Sequence, residues 1–387
     1  MRRPRTAPAH AHATAINFPA VRALLISHFY SDPEHRGKLR ALAGQGVDML
    51  VAIPGGAAGL DSGVRLTPIP ASGDPETPEL LRWNTPAIRR VISDFHPDVI
   101  QVEEPAGSAV AAAVASTARR IGIPYILFSW DSLPRRRGLL ELRRYRSALR
   151  HAAGVVGGNR IALALLKEQA PSALSEVLPQ TGISPAAPAL RGTGRRGLGL
   201  GFVGRLVPER GAETLLLACG QLLGPWTLTV VGTGPEQEPL EALAQRLGLA
   251  SRIRWLGGIP KSELEAVWND LDCLVVPSRE TSTWVERTSP VLLDAMARGV
   301  VPVVTRTGAL PEIVGDAGIV VDDVETLALA LQELVAEPER LGPIGQRARQ
   351  RILEEYVDSA VALRTLAFWS QVVARHKSHE ANLTEVR

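Results

Sequence analysis

The chain has 387 residues, enough for two or three domains of about 100–200 residues each. Its composition, 45% hydrophobic and 21% charged with 35 Gly and 29 Pro, excludes a collagen, a coiled coil and a wholly disordered chain. The formal net charge of +3, from 43 basic and 40 acidic residues, is too small to indicate a nucleic-acid partner.

The two cysteines, Cys219 and Cys273, cannot form a disulfide framework or a structural zinc site by themselves, which favours a reducing compartment. No apolar run approaches the roughly 18–20 residues of a membrane-spanning helix. Residues 1–16 carry three arginines and no apolar stretch. They predict a disordered tail over residues 1–18 and no secretory signal, so we expect a cytoplasmic protein.

Short strands alternate with helices along the chain, which is typical of parallel βαβ units. The strands predicted in the first half, around a helix over 108–121, are 22–27, 48–53, 99–102, 125–129 and 154–157. Those predicted in the second half are 198–203, 226–231, 253–256, 273–276, 301–305 and 318–321. The two sets predict two Rossmann-like sheets.

Residues 178–194 concentrate Pro, Gly, Ser and Thr, the composition of a linker. We therefore expect an N-terminal domain over 19–183 and a C-terminal domain over 184–351. The remainder, 352–387, predicts a helix to about residue 376 that packs across both domains, followed by a polar tail.

Two glycine motifs and one acidic motif are candidates for ligand binding. Residues 199–204 spell G-x-G-x-x-G, but they lie inside a predicted strand, so the dinucleotide interpretation is weak. Gly232 and Gly234 do follow a strand, and both a phosphate-binding turn and an ordinary βα turn remain open. The D-x-D pair at 270–272 lies between a helix end and an apolar strand, where capping and turn roles explain both carboxylates. We predict no metal site.

The stretch 277–302 predicts a strand end, a polar loop, a helix and the next strand. Ser289 is a good N-cap and Pro290 a good first helical residue. The backbone N–H groups of Val291 and Leu292 would then point out of the helix end, where the helix dipole is positive. This arrangement predicts a site for a phosphate.

Four charged side chains accompany that helix start. Glu286 precedes it, and Asp294 lies inside it with a side chain tilted towards its N-terminus, so both carboxylates can accept hydrogen bonds from sugar or ribose hydroxyls. Arg205 and Arg210 follow the strand at 198–203 and would neutralise a diphosphate. Surface arginines beside a C-cap glycine remain the alternative for either arginine alone.

These segments, taken in order, resemble the nucleotide-sugar-binding half of glycosyltransferase family 4, the retaining transferases of GT-B fold. The resembling segments are FVGRLVPERG, LTVVGTGP, IRWLGGIP, CLVVPS, the stretch from Glu286 to Asp294, DAMARG and GALPEIVGDAG. The N-terminal half is similar more loosely, through HPDVIQVEEP, YILFSWDS and VLPQTGI.

The resemblance implies an α/β fold of GT-B type, in which two Rossmann-like domains with parallel sheets face each other across a cleft and the C-terminal helix crosses back. It implies a retaining hexosyltransferase that needs no metal and no cofactor beyond its donor substrate, a nucleoside-diphosphate sugar. Glu286, Arg205 and Arg210 would be catalytic, with Glu286 on the transferred sugar. The expected donor contacts are Arg205 and Arg210 on the diphosphate, Asp294 on the ribose, Ile259 beside the base, and Gly232, Gly234, Ser289, Pro290 and Val291.

The sequence departs from the family at several of these positions. Asp294 replaces the usual second Glu, Arg210 replaces a common Lys, and Thr288-Ser289 replaces a frequent Phe-Gly. Trp130 stands where many relatives have a histidine near the reacting sugar. A different loop also replaces the usual Gly-Gly loop after the first strand. On the acceptor side the candidates are therefore Trp130, Asp131, His28 and Lys38.

The acceptor is not identified by sequence, and a lipid-linked or polysaccharide acceptor fits the family. Residues 134–151 hold seven arginines, one acid and several leucines. They predict either a basic amphipathic helix that docks on an anionic membrane, placing the protein at the inner face of the cell membrane, or a solvated helix face.

Two other functions remain open. A nucleotide-sugar epimerase or NAD-linked enzyme could use a double Rossmann scaffold, but it needs an acidic ribose ligand about 20 residues after its glycines, and none lies near 226–231. A non-catalytic sugar-nucleotide binder is suggested by Trp130 and Thr288-Ser289.

Overall fold

The computed structural model describes residues 20–74, 77, 81–189 and 197–385. The predicted disordered tail over 1–18 and part of the predicted linker lie outside these residues. The strands of the first half are β1 Arg22–Ile26, β2 Asp48–Pro54, β3 Gly59–Asp61, β4 Val64–Ile69, β5 Ala71–Ser72, β6 Arg82–Trp83, β7 Val99–Val102, β8 Tyr125–Ser129, β9 Gly154–Gly157 and β10 Leu174–Val177. Its helices are α1 Gly37–Gly44, α2 Thr85–Phe95, α3 Ala109–Ile121, α4 Leu139–Arg150 and α5 Arg160–Lys167.

The second half repeats the alternation of strands and helices. Its strands are β11 Leu198–Val203, β12 Trp226–Val231, β13 Ile253–Trp255, β14 Cys273–Val276, β15 Val301–Thr305 and β16 Ile319–Val321. Its helices are α6 Ala212–Cys219, α7 Gln237–Arg246, α8 Lys261–Asn269, α9 Pro290–Ala297, α10 Leu310–Val314, α11 Val324–Ala336, α12 Leu341–Glu355 and α13 Asp358–Glu385.

Each half builds one large sheet that is covered on both faces, and β5 and β6 pair in a separate two-stranded antiparallel sheet. The first sheet has the order β10-β9-β8-β7-β1-β2-β4-β3 and is parallel except for β3, and the second is parallel with the order β13-β12-β11-β14-β15-β16. Successive residues of β1, Leu24 and Leu25, join apolar clusters on opposite faces of the first sheet. The second sheet is likewise enclosed by two clusters. Strands buried on both faces are continuous apolar runs, which is why the sequence predicted them.

Both sheets have a point where the strand order reverses. In the first sheet β1 lies between β2 and β7, and in the second β11 lies between β12 and β14. Loops that leave the carboxyl ends of such a strand pair diverge to opposite faces and open a crevice, where open α/β sheets bind ligands. The two reversal points therefore position the candidate site.

The last two helices differ from the prediction of one helix over 352–376 followed by a polar tail. The helical path breaks at Tyr356 and Val357, whose backbone N–H groups both bond to the Ile352 carbonyl. Val357 forms a β-bridge with Ile183 of the segment between the sheets. Beyond residue 376 the helix continues to Glu385.

The helix α13 packs on the first half of the chain through a buried polar network. Trp369 joins the apolar cluster on one face of the first sheet, and its indole N–H donates to the Gln101 side chain at 2.6 Å. Gln101 donates to Glu103 at 2.7 Å, and Lys38 donates to the same carboxylate at 3.2 Å. The chain therefore crosses back to its first domain, as predicted.

Candidate active site

The loops at the two strand reversals carry the predicted catalytic residues Arg205, Arg210 and Glu286 and the acceptor-side candidate His28. In the first sheet His28 lies just beyond β1, and Glu104 just beyond β7. In the second sheet Arg205 lies just beyond β11, and the loop that contains Ser278 and Glu286 begins after β14. Each sheet thus contributes polar groups from the edge where a ligand would enter.

Glu286 is buried, with 3% of its side chain exposed, and is held from three directions. Its Oε2 accepts hydrogen bonds from Arg210 Nη1 at 2.5 Å and from Ser278 Oγ at 2.9 Å. Its backbone carbonyl accepts the Ala309 N–H at 2.8 Å, beside Gly308, where a Cβ would lie 2.1 Å from that oxygen. The Glu286 carboxylate is therefore fixed before any ligand binds.

Burial raises the pKa of the Glu286 carboxyl above its ordinary value, and the positive charge of Arg210 and the hydrogen bond from Ser278 oppose that shift. Arg210 also lies over the Trp284 ring, with 5.4 Å between the guanidinium carbon and the ring centre. A guanidinium has five N–H donors. Arg210 can therefore hold Glu286 and an anionic ligand at once.

The glycines after β12 explain how two loops approach each other. A Cβ on Gly232 would lie 1.8 Å from the Gly204 carbonyl oxygen, and a Cβ on Gly234 would lie 2.2 Å from that of Leu206. Both glycines therefore allow close backbone packing beside the exposed side chain of Arg205. This contact accounts for them without a ligand, and their binding of phosphate stays a prediction.

Helix α9 begins at Pro290, as predicted, but Ser289 does not cap it. The Ser289 side chain is buried and makes no capping hydrogen bond, so the prediction of a serine cap is wrong. Pro290 and Val291 line a cavity between the two halves of the chain at that helix start. Asp294, one turn further, also lines it and accepts the Trp268 indole N–H at 2.9 Å.

A cavity of about 1130 Å³ separates the two halves. Its walls include Trp130 from the first half, and Lys261 and Asp294 from the second. Ile259 precedes α8 and packs in a cluster beneath this wall. The halves also touch: Asn159 Nδ2 donates to the Arg287 carbonyl at 3.0 Å.

On the first sheet, His28 is paired with a buried glutamate. Glu104 Oε1 accepts from the His28 backbone N–H at 2.6 Å and lies 2.7 Å from its Nδ1. Glu104 Oε2 is buried and has no hydrogen-bond partner among the described residues. Trp130, across the first sheet, donates its indole N–H to Gln180 at 2.8 Å.

Three of the four acceptor-side candidates, His28, Lys38 and Asp131, are not among the residues that line the cavity. Lys38 is only 1% exposed and its ammonium pairs with the buried Glu103, so it cannot reach a substrate in this arrangement. Asp131 lies 3.4 Å from Arg137 and lines a separate pocket of about 150 Å³. The sequence around Lys38 and Asp131 does not reveal these contacts with Glu103 and Arg137, which keep both side chains away from the cavity.

Sequence reasoning missed three residues that hold the site together: Glu104, Ser278 and Trp268. Glu104 and Ser278 each follow a predicted strand at a reversal of strand order, so their positions could have indicated them. Trp268 contacts Asp294, which lies 26 positions further along the chain, and no local sequence pattern predicts that contact. Among the described residues, no group of three or more His, Cys, Asp or Glu could hold a metal ion.

Two family models match the chain, one on each half. The model described as Glycosyl transferases group 1 matches residues 198–351, and the Glycosyl transferase 4-like domain matches residues 36–179. The chain belongs to this glycosyltransferase family. The family predicted from the sequence segments is thereby confirmed.

Curated relatives of this glycosyltransferase-family chain match it in part. It is 34% identical over 204 residues to a GDP-mannose-dependent alpha-(1-6)-phosphatidylinositol monomannoside mannosyltransferase of Mycolicibacterium smegmatis, covering 48% of this chain and 53% of the relative. It is 26% identical to a 2-deoxystreptamine glucosyltransferase of Streptomyces kanamyceticus, covering 72% and 79%. The chain matches about half the length of the first relatives or less.

Solved structures support the fold. A sucrose-phosphate synthase from Thermosynechococcus elongatus superposes with a TM-score of 0.66 at 18% identity, covering 92% of this chain and all of that one. The Anabaena protein HepE in complex with UDP gives 0.66 at 16% identity, covering 90% and 100%. The glycosyltransferase chain therefore has the GT-B fold that its sequence predicted.

Proposed function

We propose that the protein transfers a hexose from a nucleoside-diphosphate sugar to an acceptor hydroxyl with retention at the anomeric carbon. The observation that carries this proposal is the fixed pair of Arg210 and Glu286 at the strand reversal of the second sheet. The Arg210 guanidinium suits a diphosphate, and the Glu286 carboxylate suits sugar hydroxyls. Family membership supports the same assignment.

In this proposal the donor lies along the second half of the cleft. Arg205 and Arg210 bind its diphosphate, the start of α9 at Pro290 and Val291 adds backbone N–H groups, and Asp294 binds the ribose. As the glycosidic bond breaks, negative charge accumulates on the leaving diphosphate, and fixed positive groups stabilise that charge. No step of this scheme requires a metal.

The acceptor binds on the side of the first sheet. In our proposal the acceptor is contacted by His28, which Glu104 fixes, and by Trp130, which lines the cavity. The base and sugar of the donor are open. GDP-mannose is the first donor to test, because three of the matched relatives are named for it.

A membrane-bound acceptor is consistent with α4. Leu139 and Leu140 are 84% and 62% exposed, and exposed arginines surround them, while Tyr145 and Leu149 are buried on the other side of the helix. Such a face suits an anionic bilayer. None of the described helices combines the length and the hydropathy that a membrane-spanning segment needs.

The first experiment is a calorimetric and thermal-shift screen of the protein against UDP, GDP, ADP, their sugar conjugates and NAD. A true ligand raises the apparent stability by mass action, and no acceptor is needed. We expect one nucleoside diphosphate to bind selectively. Selective binding of NAD alone would overturn the proposal and favour an NAD-linked enzyme. Once an acceptor is found, NMR of the product's anomeric proton tests retention.

A further inference from the structure

Trp268 is a buried residue that belongs to no sequence motif. It contacts Asp294, the residue proposed to bind the ribose. Its side chain is 1% exposed, in the apolar cluster beneath α8 and α9. Its indole N–H donates to Asp294 Oδ2 at 2.9 Å. An indole N–H is a donor with one hydrogen, so this contact fixes one oxygen of the carboxylate.

The other oxygen of Asp294 is approached from the following turn of α9. Arg298 Nε lies 3.4 Å from Asp294 Oδ1, and Arg298 Nη1 is held by Glu265 at 3.2 Å. The Asp294 side chain is nevertheless 28% exposed and lines the interdomain cavity. Asp294 is thus fixed from behind and open to the cavity in front.

A carboxylate has about four sites that accept hydrogen bonds, and Trp268 occupies one of them. The remaining sites suit a pair of hydroxyl donors on adjacent carbons, which is the pattern of a ribose diol. Asp294 has a shorter side chain than glutamate, so its oxygens can move less far to meet a ligand. The hold by Trp268 therefore decides where these acceptors lie.

We propose that Trp268 is a positioning residue that sets the Asp294 carboxylate for the ribose diol, and so makes the donor site select ribonucleotides over 2′-deoxyribonucleotides. This inference rests on the proposed function, because it takes a nucleoside diphosphate as the ligand. Packing alone does not require the hydrogen bond. Trp226, also buried in the same half, has an indole N–H without a hydrogen-bond partner among the described residues.

The test compares binding of GDP with 2′-deoxy-GDP, and of UDP with 2′-deoxy-UDP, by calorimetry. A hydrogen bond to a charged group gives the wild-type protein a preference of about tenfold or more for the ribose form. In Trp268→Phe, which keeps an aromatic ring and loses the N–H, we expect that preference to fall at least about threefold. The matched control Trp226→Phe removes the same atoms elsewhere in the core and should keep the full preference.

The ratio of two affinities does not depend on the fraction of folded protein, so a general loss of stability in Trp268→Phe would leave it unchanged. Arg298→Met acts on the same carboxylate from the other side and should also lower the preference, which keeps the test decisive if Trp268→Phe fails to fold. Asp294→Asn should abolish most of the preference for the ribose form.

The outcomes separate the two proposals. Binding of no nucleoside diphosphate by the wild-type protein would remove the proposed function and this inference with it. Binding without a ribose preference, or an unchanged preference in both Trp268→Phe and Arg298→Met, would overturn the inference alone.

Discussion

Replacing Arg210 by methionine should destabilise the protein in a way that depends on pH. The substitution leaves the buried Glu286 carboxylate with the Ser278 hydroxyl as its remaining side-chain donor among the described residues. Removing one partner of a fully buried ion pair costs about 3–5 kcal/mol. Arg210 is itself 33% exposed, so solvent screening reduces the expected loss to about 1–2 kcal/mol. For a domain of this size that corresponds to a fall in Tm of about 2–8 °C.

The sign of the pH dependence follows from Glu286. Because its pKa in the folded protein lies above its ordinary value of 4.5, the folded state binds more protons than the unfolded state between the two values. Stability therefore falls as the pH rises through that window. Loss of Arg210 removes the principal charge that opposes the shift, so the window extends upward. The Tm deficit of Arg210→Met should be small near about pH 4 and largest at neutral pH.

Thermal unfolding of four proteins near about pH 4 and pH 7.5 checks this reasoning. The proteins are the wild type, Arg210→Met, Glu286→Gln and the double variant, because neutral glutamine needs no cation. The deficit should shrink in the Glu286→Gln background. Arg254→Met, which breaks an exposed pair with Asp270, is the matched control and should change the Tm little at either pH. An equal deficit at both pH values, or one that persists in the double variant, would refute the account.

Three further outcomes are expected. Glu104→Gln should lower kcat at least about tenfold, with donor Kd unchanged, because His28 loses the carboxylate that orients it. Histidine ¹⁵N shifts should show a changed His28 tautomer, and normal turnover would contradict the assignment. Gly232→Ala should lower the free energy of unfolding, measured with denaturant, by at least about 2 kcal/mol. Gly248 also has positive φ but open space around it, so Gly248→Ala should lower it less; equal losses would rule out the backbone contact at Gly232. Vesicles of anionic lipid should bind the protein at low salt and release it at high salt, since each arginine near the membrane contributes about 1 kcal/mol to binding. If replacing the exposed arginines of 134–151 by glutamine leaves vesicle binding unchanged, this surface is ruled out.

The central strands were predictable, because they are buried on both faces and are therefore continuous apolar runs. Several strands without such a run, among them Val64–Ile69, were not predicted. The strand Leu174–Val177 is half-buried and partly polar, and the hairpin of β3 and β4 depends on Ser62 and Gly63, which both adopt positive φ. That turn could have been recognised from its glycine.

Site residues were predictable where local order along the chain determines their position. Glu286 follows a buried strand and precedes a helix, and both neighbours were evident in the sequence. Lys38 was misjudged because its partner, Glu103, lies 65 residues away, and only the assembled sheet shows that the pair is buried. The missing cap at Ser289 has the same cause: the backbone position was predictable, and the orientation of the hydroxyl was not.

The contact between Trp369 and Gln101 has a consequence for synthesis of the chain. One face of the first sheet is completed by α13, which is translated after the whole second sheet. When the ribosome has released only the N-terminal half, that face lacks the part of its cover that α13 supplies, and an exposed apolar surface in a nascent chain is prone to misassembly. The first sheet therefore completes its core only with the last helix of the chain, whereas one face of the second sheet is covered entirely by residues that precede α13.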